Sequence, residues 1–117
     1  MDMNDYIPKW LTNTELEAMP DHRYEGRVLR VEPGRVFNSY KLTKEDVPVL
    51  VFEDGWSWIP NIGARKALTK AWGGPTDDWI GRRMAIYLKS VTRMGKASGR
   101  LEERFEKQVE VLDDDEG

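Results

Sequence analysis

The sequence has 117 residues, no cysteine and a single histidine, His22. Without cysteine there is no disulfide, no thiolate nucleophile and no thiolate metal site, and such a chain suits a reducing compartment. No apolar run approaches the ~20 residues that a membrane-spanning helix needs. The opening MDMNDYIPKW places acids and a proline where a secretory leader needs basic residues followed by an apolar stretch. A cytoplasmic protein with no membrane partner is expected. The strings GxSxG, GxxxxGK[ST] and HExxH are all missing, so the usual frameworks for acyl transfer, nucleotide hydrolysis and zinc proteolysis are absent. His22 alone reads as structural or solvent-facing. The expectation is a binding protein: no enzyme, no cofactor, no metal.

Charge is present in quantity but unevenly placed. The net charge is −3. Residues 1–64 carry 7 basic and 11 acidic side chains; residues 65–100 carry 9 basic and 2 acidic; residues 101–117 carry 2 basic and 8 acidic. The middle block, at +7, is flanked by blocks of −4 and −6. Such asymmetry points to a polyanionic partner, to an acidic tail, or simply to a solvated charged surface.

The apolar pattern is mostly that of strands. Thr12, Asn13 or Thr14 can cap a helical turn over Glu15–Met19, which Pro20 stops. HRYEGRVLRVEPGR reads as a strand with a bulge at Gly26 and a turn at EPGR. VPVLVFED has five aliphatic or aromatic residues in succession around one proline and reads as a buried strand. Asp54-Gly55 is a hairpin turn, and Trp56 and Trp58 alternate with Ser57 on the returning strand. The period then changes. Asn61 caps a helix whose apolar face is Ile62, Ala64, Leu68, Ala71 and Trp72, ended by Gly73-Gly74-Pro75. RRMAIYLKSV alternates, with Met84, Ile86 and Leu88 on one side and Arg83, Ala85, Tyr87 and Lys89 on the other. TRMGKASGR is a hairpin tip. In LEERFEKQVEVL, Phe105, Lys107, Val109 and Val111 alternate with Glu106, Gln108 and Glu110, giving a last strand from about 104 to 112.

The expected fold is mainly β with one helix: five strands with the helix between strands 3 and 4. That is the element order of an OB-fold-like β-barrel. It forms one domain, 1–112, in which 1–21 is an N-terminal extension with a short helical turn. Residues 113–117 are an acidic disordered tail.

One stretch carries a resemblance. LVFEDGWSWIPNIGARKALTKAWGGPTDDWIGRRMAIYLKSV resembles a pattern in small proteins of bacteriophages and prophages. There an apolar strand, a turn, an Asn-initiated helix and a glycine precede a TDDWIGK-type motif and a Tyr-containing apolar strand. The matching residues are Val51, Phe52, Asn61, Ala64, Leu68, Gly73, Asp77, Asp78, Trp79, Ile80, Gly81, Arg82 and Tyr87, within residues 45–92. The chain departs from the pattern at Trp56-Ser57-Trp58 and in lacking a basic stretch after its last strand. The resemblance implies an OB-like fold and single-stranded DNA binding in phage replication, recombination or repair, in the bacterial host's cytoplasm.

Three features could carry function. Asp77 and Asp78 are a carboxylate pair, but TDDWIG reads better as scaffold: Thr76 or Asp77 caps a turn, Trp79 and Ile80 plug the barrel, and Gly81 permits a tight entry into the next strand. Second, a single-strand binder needs cations along the phosphates and aromatic faces for bases. Arg65, Lys66, Arg83, Lys89, Arg93, Lys96 and Arg100 supply the first. Tyr87, Trp56 and Trp58 supply the second, although a Trp in a small barrel is as readily core. Third, Asp113, Asp114, Asp115 and Glu116 form a tail that could lie in a cationic groove or recruit replication or recombination proteins. DNA is expected over RNA, and the open edges of a small barrel admit a homodimer. The competing reading is a non-enzymatic interaction module, a phage inhibitor or assembly factor whose acidic blocks mimic nucleic acid.

Overall fold

The computed structural model describes residues 9–38 and 41–112, the side chains of residues 37 and 38 excepted. Its elements are β1 (Lys9–Trp10), α1 (Asn13–Glu17), β2 (Arg23–Asn38), β3 (Thr43–Phe52), β4 (Trp56–Trp58), α2 (Ile62–Trp72), β5 (Arg83–Met94) and β6 (Leu101–Leu112). The six strands form one curled sheet in the order β1-β4-β3-β2-β5-β6. The fold is mainly β with one main helix, and it has six strands rather than the expected five.

The extra strand is β1, which lies parallel to β4 with Lys9 opposite Trp56 and Trp10 opposite Ser57. Two residues are too few to show an alternation, so the sequence reads only as an extension. Thr12 caps α1 by accepting a bond from the Glu15 amide, and the helix starts two residues before the expected Glu15.

β2 is the long strand that turns the sheet. Its first part, Arg23–Arg27, pairs with β5, while Val28 and Arg30–Asn38 pair with β3. The bulge falls at Leu29, between the Val28 and Arg30 rungs, and not at Gly26. The expected EPGR turn is also absent. Pro33 lies opposite Pro48, so the two missing amides fall on one rung and the ladder survives on either side. The Asp54-Gly55 turn forms as expected, with Gly55 at φ 98° and its amide bonded to the Phe52 carbonyl at 2.9 Å.

Asn61 caps α2 through Oδ1, which accepts from the Ala64 amide at 2.8 Å. The helix buries Ala64, Leu68 and Trp72. Ile62, expected on that face, is 62% exposed, and Ala71 is exposed too. Gly73 ends the helix at φ 98°. Trp79 is buried, meets Trp72 edge-on at 6.0 Å, and donates from Nε1 to the Gly73 carbonyl at 2.9 Å. TDDW is therefore a one-turn helical plug. Ile80 is not part of the plug, being 48% exposed. Among the described residues no side chain caps that turn. Gly81, at φ 85°, bonds the Val28 carbonyl and opens β5.

The core lies inside the curl: Val28, Leu50, Phe52, Met84 and Ile86 from the sheet, Leu16 from α1 and Leu68 from α2. At about 25 cal/mol per Å² of apolar surface, this burial is the main stabilising term. Among the described residues the sheet does not close. β4 is three residues long and bonds β3 on one edge and β1 on the other. Among the described residues no ladder joins β4 to β6. The resulting seam is spanned near the start of α2, where Asn61 Nδ2 donates to the Lys107 carbonyl at 3.4 Å.

Candidate nucleic-acid interface

The outer face of β5 is where the sequence places its cations and Tyr87. Register changes that picture. Ala85 lies between Glu25 of β2 and Glu110 of β6, and Tyr87 lies between Arg23 and Gln108. Arg23 reaches both acids, through Nε to Glu25 and Nη1 to Glu110, each at 2.8 Å. Those two bonds raise its pKa above the ordinary arginine value. Its guanidinium also sits 5.8 Å from the Tyr87 ring centroid, close enough for a cation–π contact. Arg83 stands 3.9 Å from Glu25. The expected cationic, ring-bearing face around Arg83 and Tyr87 is thus an ion-pair network, and one face of Tyr87 already has a cation.

The indoles are likewise mostly taken. Trp58 is 4% exposed and belongs to the core, which corrects its reading as a stacking platform. Trp56 is half-buried, edge-on to Tyr24 at 6.5 Å, with the Lys9 ammonium 4.2 Å over its ring.

What the fold does bring together is at the seam. An open groove of about 940 Å³ runs between β4–α2 and β6. Ile59, Ile62 and Val109 give it apolar walls; Arg65, Arg93 and Lys107 give it positive charge. Arg65 sits in the first turn of α2, where the Asn61 cap fixes the backbone. Its Nε is shielded from solvent and has no hydrogen-bond partner among the described residues. Lys107 lies opposite Leu88, so its stem starts on the inward face of β6. Burial lowers the pKa of its amine, and among the described residues no carboxylate pairs with it. A cation held this way, without an acid, carries a desolvation cost that an anionic ligand would relieve. Arg93 differs: it grips Glu106 through Nη2 and Nε at 3.0 and 3.2 Å.

Lys66 continues the basic surface. With Arg65, Thr69 and Lys70 it lines a shallower depression of about 470 Å³ on the outer side of α2. Lys89 is exposed and opposite Glu106. Lys96 and Arg100 lie at the β5–β6 tip, where the Gly95 amide bonds the Arg100 carbonyl at 2.7 Å. Of the expected residues, then, Trp58, Arg65 and Arg93 share the groove, Lys66 adjoins it, and Arg83 and Tyr87 sit in the ion-pair network. Asp113, Asp114, Asp115 and Glu116 lie outside the described residues. Lys107 is the residue that the charge-block reading missed. Its signal was a lysine set at an apolar position of the alternation Phe105, Lys107, Val109, Val111.

Among the described residues no cluster of three or more His, Asp or Glu side chains is placed to hold a metal ion. No helix among them is long and apolar enough to cross a membrane. No family model, no curated protein and no solved structure matches the chain.

Proposed function

We propose that this chain is an OB-type barrel that binds single-stranded DNA along the seam between α2 and β6. The observation that carries the reading is the convergence of Arg65 and Lys107, two cations without acidic partners among the described residues, on one groove with apolar walls. Phosphates would meet Arg65 and Lys107 and continue onto Lys66 and Lys70. Bases would lie against Ile59, Ile62 and Val109 and need no exposed indole. Affinity would come chiefly from counterion release, with little base preference. The OB assignment draws support from the strand order β4-β3-β2-β5-β6, with one long strand shared by both halves and a helix ahead of the last hairpin. A role in replication, recombination or repair in a phage-infected cytoplasm rests on the TDDWIG motif alone.

The test is the anisotropy of a labelled oligo-dT titrated with the protein at several salt concentrations. Binding that weakens about 20-fold between about 50 and 200 mM salt supports the reading. No binding at the lowest salt refutes it.

A second reading, an interaction module, is favoured by a different surface. Met94, Leu101 and Phe105 are 61%, 70% and 45% exposed and share one face of the projecting β5–β6 hairpin. A module of this kind would ignore heparin, whereas a DNA binder would be retained on it and eluted by salt.

A further inference from the structure

Glu106 is surrounded by positive charge. Arg93 holds its carboxylate side-on, with Nη2 to Oε1 at 3.0 Å and Nε to Oε2 at 3.2 Å. Arg104, two residues earlier on β6, adds Nε to Oε2 at 3.3 Å. Lys89 is its cross-strand neighbour on β5. Three cations thus surround one acid. The next carboxylate toward the tip, Glu102 opposite Arg93, accepts a bond from the Ser98 hydroxyl at 2.9 Å. Glu103, opposite Thr92, projects from the other face of the hairpin. A guanidinium holding two oxygens of one anion side-on is the geometry by which arginine also takes a phosphate. The cluster opens onto the seam, because Arg93 and Glu106 both line it.

We propose that Arg93 and Arg104 form a phosphate site for the same nucleic-acid strand, and that the Glu106 carboxylate fills this site in the free protein as an internal competitor. The inference rests on the nucleic-acid reading of the seam and extends it along β6. Both arginines are more than half exposed, so their pairs with Glu106 are screened and cheap to open. The pairing does favour the ionised acid, since Arg93 lowers the Glu106 pKa. A phosphodiester in the site would expel the carboxylate and add counterion release. Glu106 therefore sets how tightly the seam holds a strand.

The experiment compares the full chain with Glu106→Gln in the oligo-dT titration. Glu110→Gln is the control, because it removes an equal charge from the other ion-pair cluster of β6, at Arg23. Glu106→Gln is expected to bind roughly 5-fold tighter or more at low salt, with the salt slope steeper by about 0.7 for each phosphate gained. Glu110→Gln should gain much less. Adding Arg93→Gln to Glu106→Gln should abolish the gain. Equal gains from Glu106→Gln and Glu110→Gln would reduce the effect to bulk charge and overturn the site. So would wild-type binding that Glu106→Gln leaves unchanged, and in that case the seam reading stands. If Glu106→Gln does not fold, Glu106→Ala takes its place: the same gain, abolished by adding Arg93→Gln, supports the site, and no gain overturns it. Absence of binding by every form would overturn the site together with the seam.

Discussion

Lys107→Met separates binding from stability. Met keeps the length of the side chain and removes the charge. Suppose Arg65, Lys107 and one lysine of α2 each hold a phosphate. Three contacts on a single strand give a slope of log affinity against log salt of about −2, and removing one leaves about −1.4. The variant should then bind roughly 8-fold more weakly at about 50 mM salt and roughly 3-fold more weakly at about 200 mM. Stability should move the other way. The Lys107 amine is partly buried, which lowers its pKa, and among the described residues no carboxylate pairs with it. Removing that charge should add about 0.5–1 kcal/mol, or roughly 2–4 °C in Tm for a domain of this size. The pH dependence follows in sign. Between the lowered folded value and the ordinary 10.5 the unfolded chain holds more protons at this residue, so its contribution to stability rises with pH. The variant should lack that rise. Oligo-dT anisotropy and thermal melts followed by circular dichroism measure both halves. A variant that melts lower and keeps the wild-type salt slope would show Lys107 to be a packing residue and the seam no path for phosphates.

Three further outcomes test the frame around the groove. Leu68→Ala empties a fully buried position that pins α2 to the sheet; it should cost about 3 kcal/mol and lower Tm by roughly 10 °C, as read by thermal melting. Asn61→Ala removes the cap on the Ala64 amide and the bond across the seam to Lys107; about 1 kcal/mol of stability should be lost, and chemical denaturation would register it. Tyr24→Phe removes the 2.6 Å bond to Asp54, costing about 1–2 kcal/mol in urea melts. Burial first, and then that bond, push the Tyr24 hydroxyl far above its ordinary 10.0. Above about pH 10 the unfolded tyrosine ionises and the folded one does not, so the stability Tyr24 contributes is lost as pH rises. Tyr24→Phe should show a flatter alkaline limb, and an unchanged limb would remove Tyr24 as its source.

Much of the frame was legible because its signals are local. The Asn61 cap, the Asp54-Gly55 turn, the buried run of β3 and the stop at Gly73 each depend on a few adjacent residues. The misses have non-local causes. β1 is a strand only because β4 offers it an edge. β2 runs through Pro33-Gly34 because Pro48 happens to stand opposite, and nothing near residue 33 announces this. Ile62 carries a helix-face position but falls in the first turn, over the open groove, so its apolar side chain meets solvent and not core.

The cationic face failed for a topological reason, and the same reason identifies where the charge survives. The +7 block and the acidic block that follows it meet at residue 100, inside the tip of one hairpin. A hairpin folds its two halves onto each other. The end of the basic block in β5 is therefore laid against the start of the acidic block in β6, with Lys89 opposite Glu106 and Arg93 opposite Glu102. At the base of β5, β2 adds Glu25 beside Ala85. Neutralisation follows from the order of the blocks along the chain. Among the described residues, the cations that escape this pairing include Arg65, Lys66 and Lys70, carried by the helix, and Lys107, which the register sets opposite Leu88 on the inward face. Two of these four, Arg65 and Lys107, flank the groove between β4–α2 and β6. An open seam and a lysine out of phase with its acidic neighbours thus come together in one groove, and the DNA-binding proposal needs both.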